Sequence, residues 1–177
     1  CLDDATGQTA WRSERFDKRI TDIIIDEDGK TAFVGDGDEF YGYTIQNGNQ
    51  LFDVKHNDAR VGSATDVIDF GANVVVLSEK GLASYSKKDG KRVYASEKIR
   101  GVDFFYNVNG NYYLRDQRNS KNILYGINME NGETKGSVQS KGTGGSPEYG
   151  NGIDITTDGE FIFAFKGRKV EKIKVNN

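Results

Sequence analysis

The chain has 177 residues, a net charge of −3 and a single cysteine, with 36% hydrophobic and 11% aromatic residues. That length holds one domain, or two tightly fused halves, with a real core. The composition excludes a disordered chain, and the near-neutral charge argues against a general nucleic-acid binder, which would carry a basic field. No apolar run approaches the ~20 residues of a membrane-spanning helix, and one cysteine allows no internal disulfide.

Cys1 opens the sequence with no initiator Met before it. Two readings stand side by side: the lipid-bearing first residue of a mature lipoprotein, which is the one membrane attachment expected, or the start of a strand at an arbitrary cut. "DATGQTAW" (4–11) then gives a glycine turn, and "QTAWRSE" (8–14) reads as a strand. A short apolar strand "ITDIII" (20–25) follows, then a turn and second strand in "DEDGKTAFV" (26–34), a third strand "FYGYTI" (40–45) and the turn "QNGNQLF" (46–52). The plan returns as "ATDVIDF" (64–70), "DFGANVVVL" (69–77), "LASYS" (82–86) and "KKDGKRVY" (87–94). It returns again as "GVDFFY" (101–106), "NVNGNYYL" (107–114), "ILYGIN" (123–128) and "MENGETKG" (129–136), and a last time as "GIDIT" (152–156), "TTDGEFIFAF" (156–165) and "VEKIKV" (170–175). No stretch has the 3.6-residue apolar period of a long amphipathic helix.

The turn glycines Gly7, Gly48, Gly90 and Gly132 are 41, 42 and 42 residues apart. A fixed period of about 40–45 in a strand-rich chain is the signature of propeller blades, each a four-stranded antiparallel sheet. Four residues beyond each glycine stand Trp11, Phe52, Tyr94 and Gly136; the three rings are expected to pack one blade's outer strand on its neighbour. The fold expected is all-β, a propeller of about four blades at roughly 15–55, 56–97, 98–139 and 140–177 with 1–14. The strand count balances if the N-terminal strand completes the last blade and closes the ring, which removes free edges. The alternative is four blades of a seven- or eight-bladed propeller, and two such chains forming an eight-bladed ring as a homodimer is a further possibility.

"LDDATGQTAW" (2–11) resembles the repeat of quinoprotein-like, or pyrroloquinoline quinone-like, β-propellers, whose blades end in a Thr-Gly turn followed by Trp. The stretches 20–48 and 152–175 look more like related blades of bacterial and archaeal surface propellers. The resemblance implies a fold and not a reaction. The quinoprotein dehydrogenases have eight blades, a calcium ion, a catalytic Asp and often a vicinal disulfide; this chain is far shorter and has one cysteine. The non-catalytic branch of such propellers, which binds other proteins through loop surfaces, is the closer match.

The candidate residues are few. His56, the one histidine, is expected on the surface of a blade-to-blade loop, since a lone His is a poor metal ligand. "GDGDEF" (35–40) gathers Asp36, Asp38 and Glu39 in a hairpin, either a solvated turn or a Ca²⁺ site of hard oxygen ligands. Each first strand carries an Asp in the same place: Asp22, Asp66, Asp103 and Asp154. Near one axis these carboxylates would need a cation, raised pKa values or an arginine; alternatively each accepts hydrogen bonds from a neighbouring blade. One face of the propeller is expected to carry Arg19, Arg60, Arg100, Arg115, Arg118 and Tyr149, a mixed arginine-rich surface of the kind that binds protein. The long glycine-rich loop at 142–152 belongs to that face. The expected function is a non-enzymatic, extracytoplasmic binding or scaffold module for a protein or surface polymer, with no cofactor except possible Ca²⁺. The alternatives are a segment of a larger quinoprotein-like enzyme and a small cation-binding propeller.

Overall fold

The computed structural model describes residues 1–3, 5–97, 99, 102–108, 110–116, 123–139, 152–155, 161–166 and 169–174, with side chains at all of these except 102–105, 116, 139, 152–155, 164–166 and 169. The chain divides into two compact units, Cys1–Lys98 and Ile99–Asn177. In the first unit, β1 (Asp22–Ile25), β2 (Thr31–Gly35), β3 (Glu39–Thr44) and β4 (Gln50–Lys55) form one antiparallel sheet in chain order. A single 3₁₀ turn, His56–Ala59, leads to a second sheet of β5 (Ala64–Phe70), β6 (Asn73–Ser78), β7 (Gly81–Ser86) and β8 (Arg92–Ser96). The second unit has a four-stranded sheet of β9 (Val102–Val108), β10 (Asn111–Asp116), β11 (Ile123–Asn128) and β12 (Glu133–Gln139), and a sheet of β13 (Gly152–Ile155), β14 (Phe161–Lys166) and β15 (Lys169–Lys174). These up-and-down meanders are propeller blades.

The repeated turn is built the same way each time. Gly7, Gly48, Gly90 and Gly132 sit at φ 67, 71, 67 and 72°, left-handed backbone that glycine adopts without penalty. Each donates its N–H to the carbonyl four residues back, on Asp3, Thr44, Ser86 and Asn128, at 2.8–2.9 Å. Just beyond the last three of these turns the outer strand bulges. The register slips between Gly42 and Tyr43, between Ser84 and Tyr85, and between Gly126 and Ile127. The extra residue is Leu51, Val93 or Lys135, and the residue after it faces back across the sheet: Phe52 opposite Gly42, Tyr94 opposite Ser84, Gly136 opposite Gly126. A bulge re-aims a side chain, and here it fixes where the repeat's aromatic lands.

In the first unit that landing is on the next blade. Trp11 lies against Gly48, and Phe52 against Gly90. A Cβ on Gly42 or on Gly90 would sit 2.7 Å from the Phe52 ring, so the ring is wedged between its own sheet and its neighbour. Phe33 stacks on it, Phe40 meets it at a tilt and Tyr85 stacks on Phe40, making the core between the two blades with Val61, Val67, Val74 and Val76. Strand alternation turns Val34, Tyr41 and Tyr43 to the opposite face, where Trp11 and Phe16 cover them.

Residues 8–14 differ from the expected fourth strand. Among the described residues they join no ladder; Thr9 makes an isolated bridge to Leu2. The physical reason is local. Asp3 N–H donates to the Gln8 carbonyl, Gly7 N–H to Asp3 and Ala10 N–H to Cys1, so the segment satisfies itself as a small hairpin.

Candidate functional site

The connections at one end of the two blades in the first unit interlock. Gly37, at φ 97°, turns the β2–β3 hairpin tightly. Its carbonyl accepts from Ala64 N–H at 2.7 Å, and the Asp38 carbonyl accepts from Asn57 N–H at 3.1 Å. The 3₁₀ turn ends at Arg60, the one non-glycine residue with positive φ (61°) among the described residues. Beyond it, Val61 and Ser63 carbonyls accept from Lys80 and Glu79 N–H groups at 2.7 and 3.1 Å. Three consecutive connections thus form one hydrogen-bonded rim. Lys18, Arg19, Asn57, Asp58, Arg60, Glu79 and Lys80 stand exposed on it, with Lys18 Nζ 3.6 Å from Asp38 Oδ2.

His56 is not the surface residue expected from sequence. It is fully buried, with Nδ1 2.8 Å from the Tyr85 hydroxyl and Nε2 2.7 Å from Ser78 Oγ. Burial lowers its pKa to about 4, against the upward pull of the Asp38 charge, so the ring is neutral. The 3₁₀ turn follows β4 with no intervening loop and tucks the ring under the second blade. Burial likewise pushes Tyr85 up to about 12.

The carboxylates of the β2–β3 hairpin are held by protein donors: Asp38 faces Lys18, while Asp36 and Glu39 share the Tyr41 hydroxyl. Asp36 is buried; it accepts from Glu39 N–H at 2.9 Å and lies 3.4 Å from the Tyr41 hydroxyl, which also donates to Glu39. Burial first, then that bond and the charges of Asp36, Glu39 and Asp53, raise the Tyr41 pKa far above its usual value. Among the described residues no three acidic, histidine or cysteine side chains come together as cation ligands.

Asp22 and Asp66 do meet. Both accept the same donor, Val67 N–H, at 2.9 Å, Asp22 reaching across from the neighbouring blade. Burial raises the Asp66 pKa to about 6, aided by a hydrogen bond with the Asp22 carboxyl and by its charge, while Val67 N–H pulls the other way. Two carboxyls on one amide hold a proton between them better than two charges. Asp103 and Asp154 lie on the first strands of their sheets, β9 and β13, but their side chains, like Arg100, Arg118 and Tyr149, fall outside the described residues. Arg115 lies half-buried within β10.

At the other end of the same two blades, Lys87 joins Asp26 and Asp69, with Nζ 2.6 and 2.7 Å from their oxygens. Burial alone would depress this lysine; its bonds to Asp26 and Asp69 outweigh that and hold its pKa above the usual value. The pair of blades is therefore pinned at both ends by polar groups.

Residues 1–107, more than half of the chain, match the family described as outer membrane protein assembly factor BamB. No curated protein sequence matches the chain. Among solved structures, BamB from Moraxella catarrhalis is 13% identical, with a TM-score of 0.62 over 95% of this chain and 50% of that one. The dihydro-heme d1 dehydrogenase NirN, in complex with DHE, is 13% identical, with a TM-score of 0.64 over 99% of this chain and 38% of that one. The WD40 repeats of RRP9 are 12% identical, with a TM-score of 0.60 over 85% and 46%. The chain spans half or less of the length of each, and at these identities the likeness is one of fold.

Proposed function

This chain belongs to the family described as outer membrane protein assembly factor BamB, and from that premise we propose that it is a non-enzymatic propeller module that binds a protein partner on the extracytoplasmic side of the cell. The observation that carries the reading is the rim of the first unit. Its three connections are cross-bonded backbone to backbone, so its exposed charges are held before a partner arrives. Pre-organisation lowers the ordering cost of association, and interspersed charges set specificity and on-rate more than raw affinity. His56, the one histidine, has no exposed surface with which to reach a substrate.

The test is a photo-crosslinker placed at Arg60, on the rim, or at Lys88, at the opposite end of the blades, in the native host. Adducts of one defined mass from position 60, and none from position 88, support the reading. With the crosslinker kept at position 60, an Arg19→Glu, Lys80→Glu variant should then lower the adduct yield about tenfold, as rim charges do when they steer encounter. Equal labelling from both positions overturns it.

A further inference from the structure

In the second unit the repeat changes its chemistry at one place. The first two blades carry Leu51-Phe52 and Val93-Tyr94 at the bulge and the residue after it; the third carries Lys135-Gly136. Where Phe52 covers Gly42, the third blade sets Gly136 opposite Gly126, both without side chains. A Cβ at Gly136 would meet nothing within 4 Å. Above this bare backbone lies a cavity of about 860 Å³ between the β9–β12 and β13–β15 sheets, walled by Tyr113, Leu124, Ile162 and Ile173. Close packing leaves no void of that size in a core, and it falls within the usual range of ligand pockets. Lys135 and Lys174 line it, and among the described residues no carboxylate does.

We infer that this groove receives an aromatic side chain presented on an extended, acidic segment of a partner protein. Three observations choose that occupant. The floor is a flat pair of facing glycines, the place where the chain's own first blade lays Phe52. The groove is open along β12, the outermost strand of its sheet among the described residues, with Thr134, Lys135, Gly136 and Ser137 exposed. A strand added to that edge alternates its side chains, and the one beside Gly136 points to the face where the groove lies. The two lysines favour carboxylates flanking the ring. The inference rests on the second unit alone and not on the rim of the first.

The probe is a fluorescein-labelled peptide, Glu-Thr-Phe-Val-Glu, measured by anisotropy beside its Ala-for-Phe counterpart. Saturable binding is expected, weakened about tenfold or more when the ring is removed. Gly136→Phe fills the groove from within, as Phe52 does, and should abolish binding while leaving the melting temperature equal or higher. Lys135→Glu with Lys174→Glu, both surface changes, should weaken binding and flatten its salt dependence. The inference fails if binding does not saturate by about 1 mM, if the Ala peptide binds as well, or if Gly136→Phe binds like the parent protein. It fails equally if N-acetylphenylalanine competes as well as the peptide, since the groove would then take small aromatics and not a protein segment.

Discussion

His56 and Asp66 titrate in the same pH range with opposite consequences. Folding lowers the pKa of His56 from 6.5 to about 4, so its contribution is complete above 6.5 and is lost as the pH falls through 4, about 3 kcal/mol at the most. Folding raises the pKa of Asp66 from 3.8 to about 6, so its contribution is complete below 3.8 and is lost as the pH rises through 6. Asp66 is partly solvated, and screening reduces its share to about 1 kcal/mol. The two separate by mutation. His56→Ala leaves Tyr85 and Ser78 without their partner and opens a cavity. It should cost about 3 kcal/mol in urea denaturation at pH 7.5, with a smaller difference from the parent at pH 4; an equal loss at both would show that the ring is not neutral. Asp66→Asn imitates the protonated acid. It should raise the melting temperature by about 2–4 °C at pH 7.5 and leave it unchanged at pH 4; a fall at pH 7.5 would mean that the ionised carboxylate is the stabilising form.

At the scale of the element, the wedge of Phe52 sorts glycines that look alike in the sequence. Gly42 and Gly136 both lie in strand ladders. A methyl group at Gly42 meets a ring held from behind by Gly90, and Gly42→Ala should cost about 2 kcal/mol through overpacking. A methyl group at Gly136 meets nothing, and Gly136→Ala should gain about 0.5–1 kcal/mol from a stiffer strand. Paired thermal melts check this, and equal effects would break the assignment of Phe52 as a wedge. The contrast also shows what the sequence carries. The period of the turn glycines and the aromatic four residues on were readable, because both are local and repeated. The strands at 64–70 and 123–128 were readable to the residue for the same reason. The repeated acid was readable too, as a carboxylate that takes a hydrogen bond from the next blade or has a raised pKa beside its counterpart; the single amide that Asp22 and Asp66 share was not. The burial of His56 and the double ion pair of Lys87 were not, since each depends on a partner 22 to 61 residues away. Position 136 was visible as a break in the aromatic series; that the break opens a groove needed Gly126 opposite it.

For the whole molecule, the stacking of blades leaves a face at the start of the series that something must cover. On the first blade, Val34, Tyr41 and Tyr43 form that face. Trp11 stacks on Tyr43 at 6.3 Å and donates its indole N–H to the Ile45 carbonyl at 2.6 Å, and Phe16 meets Tyr41 edge-on at 5.1 Å. Ile23 and Ile25, on the innermost strand, remain 52% and 53% exposed. Residues 1–16 therefore act as a cover in place of ladder pairing, and the cover depends on two rings. Removing them strips a tyrosine-rich surface beside two exposed isoleucines, a patch of the kind that drives association. We expect deletion of residues 1–16 to cost about 3–5 kcal/mol and to produce concentration-dependent aggregates in light scattering. Trp11→Ala with Phe16→Ala, in the full chain, should reproduce most of the loss, because the backbone of the segment bonds mainly to itself. If the double variant melts like the parent while the deletion does not, the segment acts through its backbone and not through its rings.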